Sequence, residues 1–201
     1  MVMSRLERKC RPFAGWRCRL AGLACVLAVV AGAARADTRT EGRSDQVIRQ
    51  IEAAYLYKFA SYVEWPPEAF AGPDSGFTIG LAGADALAEE LESSLAGRAV
   101  NGRKVIVRRL RRGDAAADVQ MLVVGEVDGH WARELVAATK DRPVLTIAEP
   151  GADVGAGSMI SFTVVDDRLR FEVALRPIKP SRLKISALML SAAYKVEKGN
   201  P

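Results

Sequence analysis

Cysteine is absent from most of this 201-residue sequence. The three cysteines, Cys10, Cys18 and Cys25, all lie near the N-terminus, and none follows. The chain beyond them can therefore form no disulfide, carry no thiol nucleophile and bind no metal through thiolate. Because no cross-link can hold that part together, its stability must come from a hydrophobic core, and its length is sufficient to build one.

Histidine and nucleotide-binding motifs are nearly absent as well. The only histidine is His130, whereas a zinc site needs three or four ligands from His, Cys and carboxylate groups. No serine lies in a recognisable nucleophile motif, and neither GxGxxG nor GxxxxGK[ST] occurs. We therefore predict no metal, no cofactor and no enzymatic activity, and we interpret His130 as a surface or capping residue.

The basic excess is confined to one end of the chain. The formal net charge is +5, but residues 1–36 hold seven basic side chains and one acidic one. The remainder has 22 basic and 23 acidic groups. This balance argues against a nucleic-acid-binding protein, which needs a basic surface.

Residues 1–36 have the three parts of a secretory signal peptide. A basic segment from Arg5 to Arg19 precedes an apolar run over residues 20–34, and Ala34-Arg35-Ala36 provides a cleavage motif. The apolar run has 15 residues, fewer than the roughly 20 that a spanning helix needs. We expect cleavage between Ala36 and Asp37, export to a periplasm and no stable membrane insertion after cleavage.

The remaining sequence alternates between helical and strand patterns. After a polar lead-in over residues 37–45, Ser44 is a predicted N-cap. Apolar residues at helical spacing then predict one buried helix face formed by Ile48, Ile51, Tyr55, Phe59 and Tyr62. Further helices are predicted over residues 85–95, 131–139 and about 181–197. Strands are predicted over residues 77–82, 105–110, 119–124, 144–147, 158–165 and 169–175, the last two joined as a hairpin by residues 166–168.

This order of elements predicts the fold class. Strands that alternate with helices favour an α/β protein with a largely parallel sheet. No internal linker divides the chain. We therefore predict one α/β sandwich domain over residues 46–198, with a mixed, largely parallel sheet, a C-terminal β-hairpin and flanking helices.

Three features are candidates for binding. The turn from Gly80 to Gly83 follows a strand and could present backbone N–H groups to an anion, although a tight turn without a ligand is the favoured interpretation. The basic cluster could meet an acidic partner, but a solvated strand end is favoured; it consists of Arg108, Arg109, Arg111 and Arg112. Tyr57 lies off the apolar stripe and, with Lys58, would suit a protein interface.

The sequence resembles the YfiR family. Residues 53–59 (AAYLYKF) and 63–66 (VEWP) resemble the opening of that family, and residues 143–147 (PVLTI) resemble one of its strands. Gly157 with Met159, Ile160 and Phe162, residues 170–173 (RFEV) and residues 184–186 (KIS) continue the likeness to about residue 196. Ser161 and Ala174 stand where the family usually has asparagine.

The resemblance implies a periplasmic regulator without catalytic activity. Its expected partner is the periplasmic domain of an inner-membrane diguanylate cyclase, which it would repress, lowering cyclic di-GMP and reducing biofilm formation. Some members sense redox state through disulfides, which the cysteine-free part of this chain cannot do. Beside Tyr57 and Lys58, we nominate Arg168 and Arg170 as partner contacts, because strand alternation places them opposite Leu169, Phe171 and Val173. A periplasmic small-ligand sensor remains the alternative, and a homodimer remains open.

Overall fold

The computed structural model describes residues 43–116, 118–154 and 157–198. The chain divides into two compact units, residues 1–46 and 47–201. Of the first unit only residues 43–46 are described, and they are helical. The second unit is an α/β domain with a mixed, mostly parallel sheet and an antiparallel hairpin, which confirms the predicted fold class.

Five helices and ten strands form the described part of the chain. The helices are α1 (43–62), α2 (Asp85–Ser94), α3 (Gly129–Ala138), α4 (Leu175–Ser181) and α5 (Ala187–Ala192), and a 3-10 turn covers Pro67–Ala69. The strands are β1 (Val63–Glu64), β2 (Phe77–Ala82), β3 (Ala99–Val100), β4 (Arg103–Leu110), β5 (Met121–Val124), β6 (Leu145–Ala148), β7 (Ile160–Val165), β8 (Arg168–Ala174), β9 (Lys184–Ile185) and β10 (Lys195–Glu197).

Eight of these strands form one sheet in the order β10-β8-β7-β6-β5-β2-β4-β3, and β1 pairs with β9 separately. The strands from β7 to β4 run parallel to one another, whereas β8 and β3 are antiparallel to their neighbours β7 and β4. From β2 the chain moves to β4 on one side and then returns to β5 on the other. The strand order therefore reverses between β2 and β5, where α/β sheets commonly bind ligands.

Helices cover both faces of the sheet, as a parallel sheet requires. One core contains Phe59 and Leu56 of α1, Leu87 of α2 and the inward side chains of β2, β7 and β8. The other contains Leu135 of α3 against Leu122 and its neighbours. All four residues of β5 are buried, because this strand has a core on each side.

The buried face of α1 differs from the predicted one. Ile51 and Tyr62 are 41% and 36% exposed, and the buried positions include Ala53, Leu56 and Ala60 as well as Phe59. Apolar residues at 3–4 spacing form two overlapping stripes along α1, and the stripe that contains Ala53 and Ala60 faces the sheet. The helix also does not begin at Ser44, because residue 43 is already helical.

The predicted final helix over residues 181–197 is wrong. Pro180 and Ser181 end α4 rather than open a helix, and Arg182 follows in the left-handed conformation with φ of 61°. The chain then forms β9, and Ser186 caps α5 by accepting a hydrogen bond from the backbone N–H of Met189. Strand β10 pairs in parallel with β8. Strand pairing at both ends therefore limits the helical pattern to α5.

Candidate functional site

The outward face of the β7–β8 hairpin is the most accessible of the predicted partner surfaces. Side chains alternate along β8, so that Leu169, Phe171 and Val173 are buried while Arg168 and Arg170 are exposed. Arg168 lies opposite Val165, and Arg170 lies opposite Thr163. The two guanidinium groups form no ion pair or hydrogen bond with another described residue. This face can therefore meet a partner without disturbing the core beneath it.

Tyr57 is less available for a partner than the sequence predicts. Its ring is half-buried and packs against the core. Its hydroxyl donates a hydrogen bond to the carbonyl of Ala99, at 3.3 Å, and the Arg98 guanidinium carbon lies 5.4 Å from the ring centre. Tyr57 thus joins α1 to the segment before β4. The neighbouring Lys58 is exposed.

The structure does not bring the two nominated surfaces together. Tyr57 contacts Ala99 of β3, at one edge of the sheet. The hairpin lies near the opposite edge, with β6, β5, β2 and β4 between β7 and β3. Tyr57 with Lys58 and Arg168 with Arg170 therefore belong to separate patches, and their roles in partner binding stay predictions.

The glycine turn after β2 lies beside the point where the strand order reverses. Gly80 is not part of this turn; it is a buried residue inside β2, where an added Cβ would lie 2.9 Å from Val119 Cγ1. Gly83 forms the turn with φ of 66°, and its carbonyl accepts a hydrogen bond from the Glu126 N–H at 2.9 Å. An added Cβ at Gly83 would lie 2.5 Å from the Glu126 carbonyl oxygen. The loops after β2 and β5 therefore contact each other and fill the space where the strand order reverses.

Acidic side chains surround this end of the sheet. Glu149 follows β6, and an added Cβ at Gly125 would lie 2.0 Å from Glu149 Oε2, so the carboxyl group covers the Gly125 backbone. Glu52 of α1 interacts electrostatically with Glu149, which also interacts with Glu126 and Arg49. The N–H groups of Gly125 and Glu126 already donate to the carbonyls of Ala82 and Gly83, both at 2.9 Å, which supports the tight-turn interpretation of Gly83 over an anion site.

Glu52 and Glu149 both have strongly raised pKa values. Glu52 is 2% exposed and its Oε1 has no hydrogen-bond partner among the described residues. Burial, then the neighbouring Glu149 carboxylate, raises the pKa of Glu52 from 4.5 to about 8. Burial, then Glu126, raises the pKa of Glu149 to about 7, although Arg49 opposes the shift. Near neutral pH, Glu52 is therefore mostly protonated.

This carboxyl pair is not among the residues predicted from the sequence. Glu52 lies next to Ala53 and one turn before Leu56, both buried on α1. That spacing places the Glu52 carboxyl group on the sheet-facing side of the helix, once Ala53 and Leu56 are known to belong to the buried face. Glu149 directly follows a buried strand, and its electrostatic interaction with Glu52 has no local sequence signal.

Local ion pairs and a hydrogen bond engage three of the four arginines of the basic cluster. Arg109 lies 3.0 Å from Glu92 and 3.8 Å from Asp85, both on α2. Arg112 pairs with Asp128 and its guanidinium carbon lies 5.6 Å from the centre of the Trp131 ring. Arg108 donates a hydrogen bond to the carbonyl of Ala115 at 3.1 Å. These contacts support the structural interpretation of the cluster.

His130 lies in the first turn of α3. Asp128 caps that helix by accepting hydrogen bonds from the backbone N–H groups of His130 and Trp131. The imidazole is exposed, and its Nδ1 lies 3.4 Å from Glu134 one turn later. Within the described residues, no three or more His, Cys, Asp and Glu side chains are placed to hold a metal ion.

Several predictions lie outside the described residues. They are the signal peptide, its cleavage between Ala36 and Asp37, and the part of the lead-in before residue 43. Within the described ranges, no helix is both long enough and apolar enough to cross a membrane.

Comparison with protein-family models matches residues 49–194 to the YfiR/HmsC-like family. The chain belongs to the YfiR/HmsC-like family. The matched segment runs from the second turn of α1 to the residue before β10, and so includes nearly all of the sheet. The resemblance inferred from the sequence blocks is confirmed.

Membership in the YfiR/HmsC-like family limits the range of functions. It implies a YfiR-type regulator of a diguanylate cyclase, and members are generally non-catalytic. YfiR proteins are periplasmic. These family properties agree with the predicted class of protein, a periplasmic regulator. The partner, the contact surface and the mechanism of this chain belong to the proposal that follows.

Proposed function

We propose that this chain is a non-enzymatic periplasmic regulator that binds the periplasmic part of an inner-membrane diguanylate cyclase and represses it. The observation that carries the proposal is the family match over residues 49–194. The proposed physical basis is linkage: a protein that binds the inactive state of the cyclase more tightly than the active state shifts the population toward inactivity. The shift cannot exceed its differential affinity for the two states.

The β7–β8 hairpin is the proposed contact surface. Arg168 and Arg170 are exposed on a strand whose other face is anchored by Phe171. Arginine is common among the residues that dominate protein interfaces, because its planar guanidinium forms several directed hydrogen bonds. A rigid strand presents these groups at lower entropic cost than a loop would. Tyr57 does not serve as a free anchor in this proposal, since its ring and hydroxyl are engaged within the domain.

Cyclic di-GMP measurements in cells test the function and the surface separately. Deletion of the gene should raise cyclic di-GMP, and the wild-type gene should restore the original level. The double variant Arg168→Glu with Arg170→Glu should fail to restore it. The matched control is Lys104→Glu with Lys179→Glu, which makes the same charge change at exposed positions away from the hairpin.

The outcomes separate the two claims. The repressor proposal would end if deletion left the cyclic di-GMP level unchanged in cells that express a diguanylate cyclase with a periplasmic domain. Full restoration by the hairpin variant would retain the repressor and reject the hairpin. Failure of the control variant as well would indicate sensitivity to net charge rather than to this surface.

A further inference from the structure

A groove separate from the hairpin surface and from the carboxyl pair lies beside α3 and α4. Its volume is about 480 Å³. The C-terminal half of α3 forms one wall, and α4 forms the other, with the segment that enters β7 between them. Small-molecule sites commonly have volumes of 300–1,000 Å³, so the groove is large enough for a metabolite-sized ligand.

The interior of the groove is apolar. Val136, Val154, Met159 and Pro177 are among its lining side chains. Thr146 also lines it, but its hydroxyl already accepts a hydrogen bond from the Met159 N–H at 3.0 Å. The Thr139 hydroxyl donates to the Val136 carbonyl at 2.8 Å. Because both hydroxyls are engaged, the groove interior favours an apolar ligand body.

The charge lining the groove is mainly positive. Lys140, Arg176 and Arg133 line it, against a single lining carboxylate, Asp141. Arg133 lies 3.3 Å from Asp153, which partly neutralises it. Within the described ranges, neither Lys140 nor Arg176 forms an ion pair at salt-bridge distance, although Arg176 interacts electrostatically with Glu197. Two exposed cations beside an apolar groove attract an anionic head group and repel a cationic one.

We propose that this groove binds a small organic anion with an apolar body. The body covers Val136, Met159 and Pro177, and the carboxylate, sulfonate or phosphate head lies between Lys140 and Arg176. The site is distinct from the proposed cyclase contact, and neither claim depends on the other. The chain has no cysteine after residue 25, so binding of such an anion would be a signal that does not depend on thiol chemistry.

Two dyes that share one apolar body test the proposal. 8-Anilinonaphthalene-1-sulfonate carries a negative head, and N-phenyl-1-naphthylamine is its neutral counterpart. Titration calorimetry of the purified protein should show one saturable site for the sulfonate. Lys140→Glu with Arg176→Glu should weaken sulfonate binding at least ten-fold and change binding of the neutral dye less than two-fold. Lys179→Glu, on α4 but outside the groove lining, should leave both unchanged.

A second variant tests the location independently of charge. Ala137 is an exposed α3 residue that lines the groove, so Ala137→Trp should fill it and abolish binding of both dyes. Thermal melting of each variant confirms folding, and the charge variants decide the result if Ala137→Trp does not fold. The proposal is overturned by no sulfonate binding at millimolar dye, by several equivalent sites, or by equal losses for both dyes in the charge variant.

Discussion

Several residues in the sequence blocks that resemble the YfiR family are packing residues. Phe59 stacks on Phe162 with ring centres 5.9 Å apart and meets Phe171 edge-on at 4.9 Å. Trp65 meets Phe77 edge-on at 4.9 Å, and its indole N–H donates to the Gln120 carbonyl at 3.2 Å. These family residues therefore join α1 and the turn after it to the sheet.

Truncation of Phe59 tests this interpretation. Phe59 is 2% exposed, and Phe59→Ala removes a ring from a close-packed core, so it should lower the free energy of unfolding by about 3–5 kcal/mol. Tyr62→Ala is the control from the same predicted stripe; because Tyr62 is 36% exposed, its cost should be within about 1 kcal/mol. Urea unfolding measures both. Wild-type stability in Phe59→Ala would place this ring outside the core.

The carboxyl group of Glu52 should make stability depend on pH. Its pKa is about 8 in the fold against an ordinary 4.5, so between these values the folded state holds a proton that the unfolded state has released. Unfolding free energy should therefore fall as pH rises from 5 to 8, by on the order of 3 kcal/mol from this group. Glu149 should act in the same direction, since its pKa is raised to about 7.

Glu52→Gln isolates this contribution. Glutamine keeps the size of the side chain and cannot ionise, so the variant should unfold at about the wild-type urea concentration at pH 5 and at a clearly higher one at pH 8. Glu89→Gln, at an exposed position of α2, should follow the wild-type profile. A wild-type protein that becomes more stable with rising pH, or a Glu52→Gln variant with the same slope, would contradict the assignment.

At the scale of single elements, the β7–β8 hairpin shows how local sequence sets register. Asp166 and Asp167 have φ of 49° and 55°, so both occupy the left-handed region, and Val165 pairs with Arg168 across them. This two-residue turn fits the twist of the strands. Its register places Leu169 and Phe171 inward and Arg168 and Arg170 outward, which connects the turn to the proposed surface.

Replacing this turn with residues that prefer its conformation should stabilise the domain. Asp166→Asn with Asp167→Gly matches the preferred pair for such turns, and relief of left-handed strain should raise the free energy of unfolding by about 1 kcal/mol. Thermal melting measures the change. The reverse order, Asp166→Gly with Asp167→Asn, should give a smaller gain. A destabilised Asn-Gly variant would show that the aspartate side chains make contacts that matter more than backbone strain.

The terminal elements show where sequence patterns stop being informative. Strands β2, β5, β7 and β8 lie within two residues of their predicted bounds, because continuous or alternating apolar runs identify them. By contrast, β9 has two residues and β10 has three, and their pairing with β1 and β8 depends on distant segments. Such short strands have no periodicity to detect, so a weak helical pattern over residues 181–197 was misleading.

At the scale of the whole molecule, the sequence predicts the α/β class and the family but not the arrangement of charged groups in space. The parallel core follows from strands that alternate with helices, and its register then brings Glu149 beside Gly125. Glu52 and Glu149 are 97 positions apart in the sequence, and the groove beside α4 draws on four separate segments. These features arise only from tertiary packing.

The predicted signal peptide gives the last prediction. The basic segment, the apolar run of 15 residues and Ala34-Arg35-Ala36 predict cleavage before Asp37. Intact-mass measurement of protein from the periplasmic fraction should therefore match residues 37–201.

Since all three cysteines precede the cut, dithiothreitol should leave the melting temperature of this form unchanged. Ala34→Arg with Ala36→Arg removes the small residues that signal peptidase needs and should leave the uncleaved mass. Periplasmic protein that retains residues 1–36, or whose melting temperature falls by several degrees in reductant, would contradict the processing assignment.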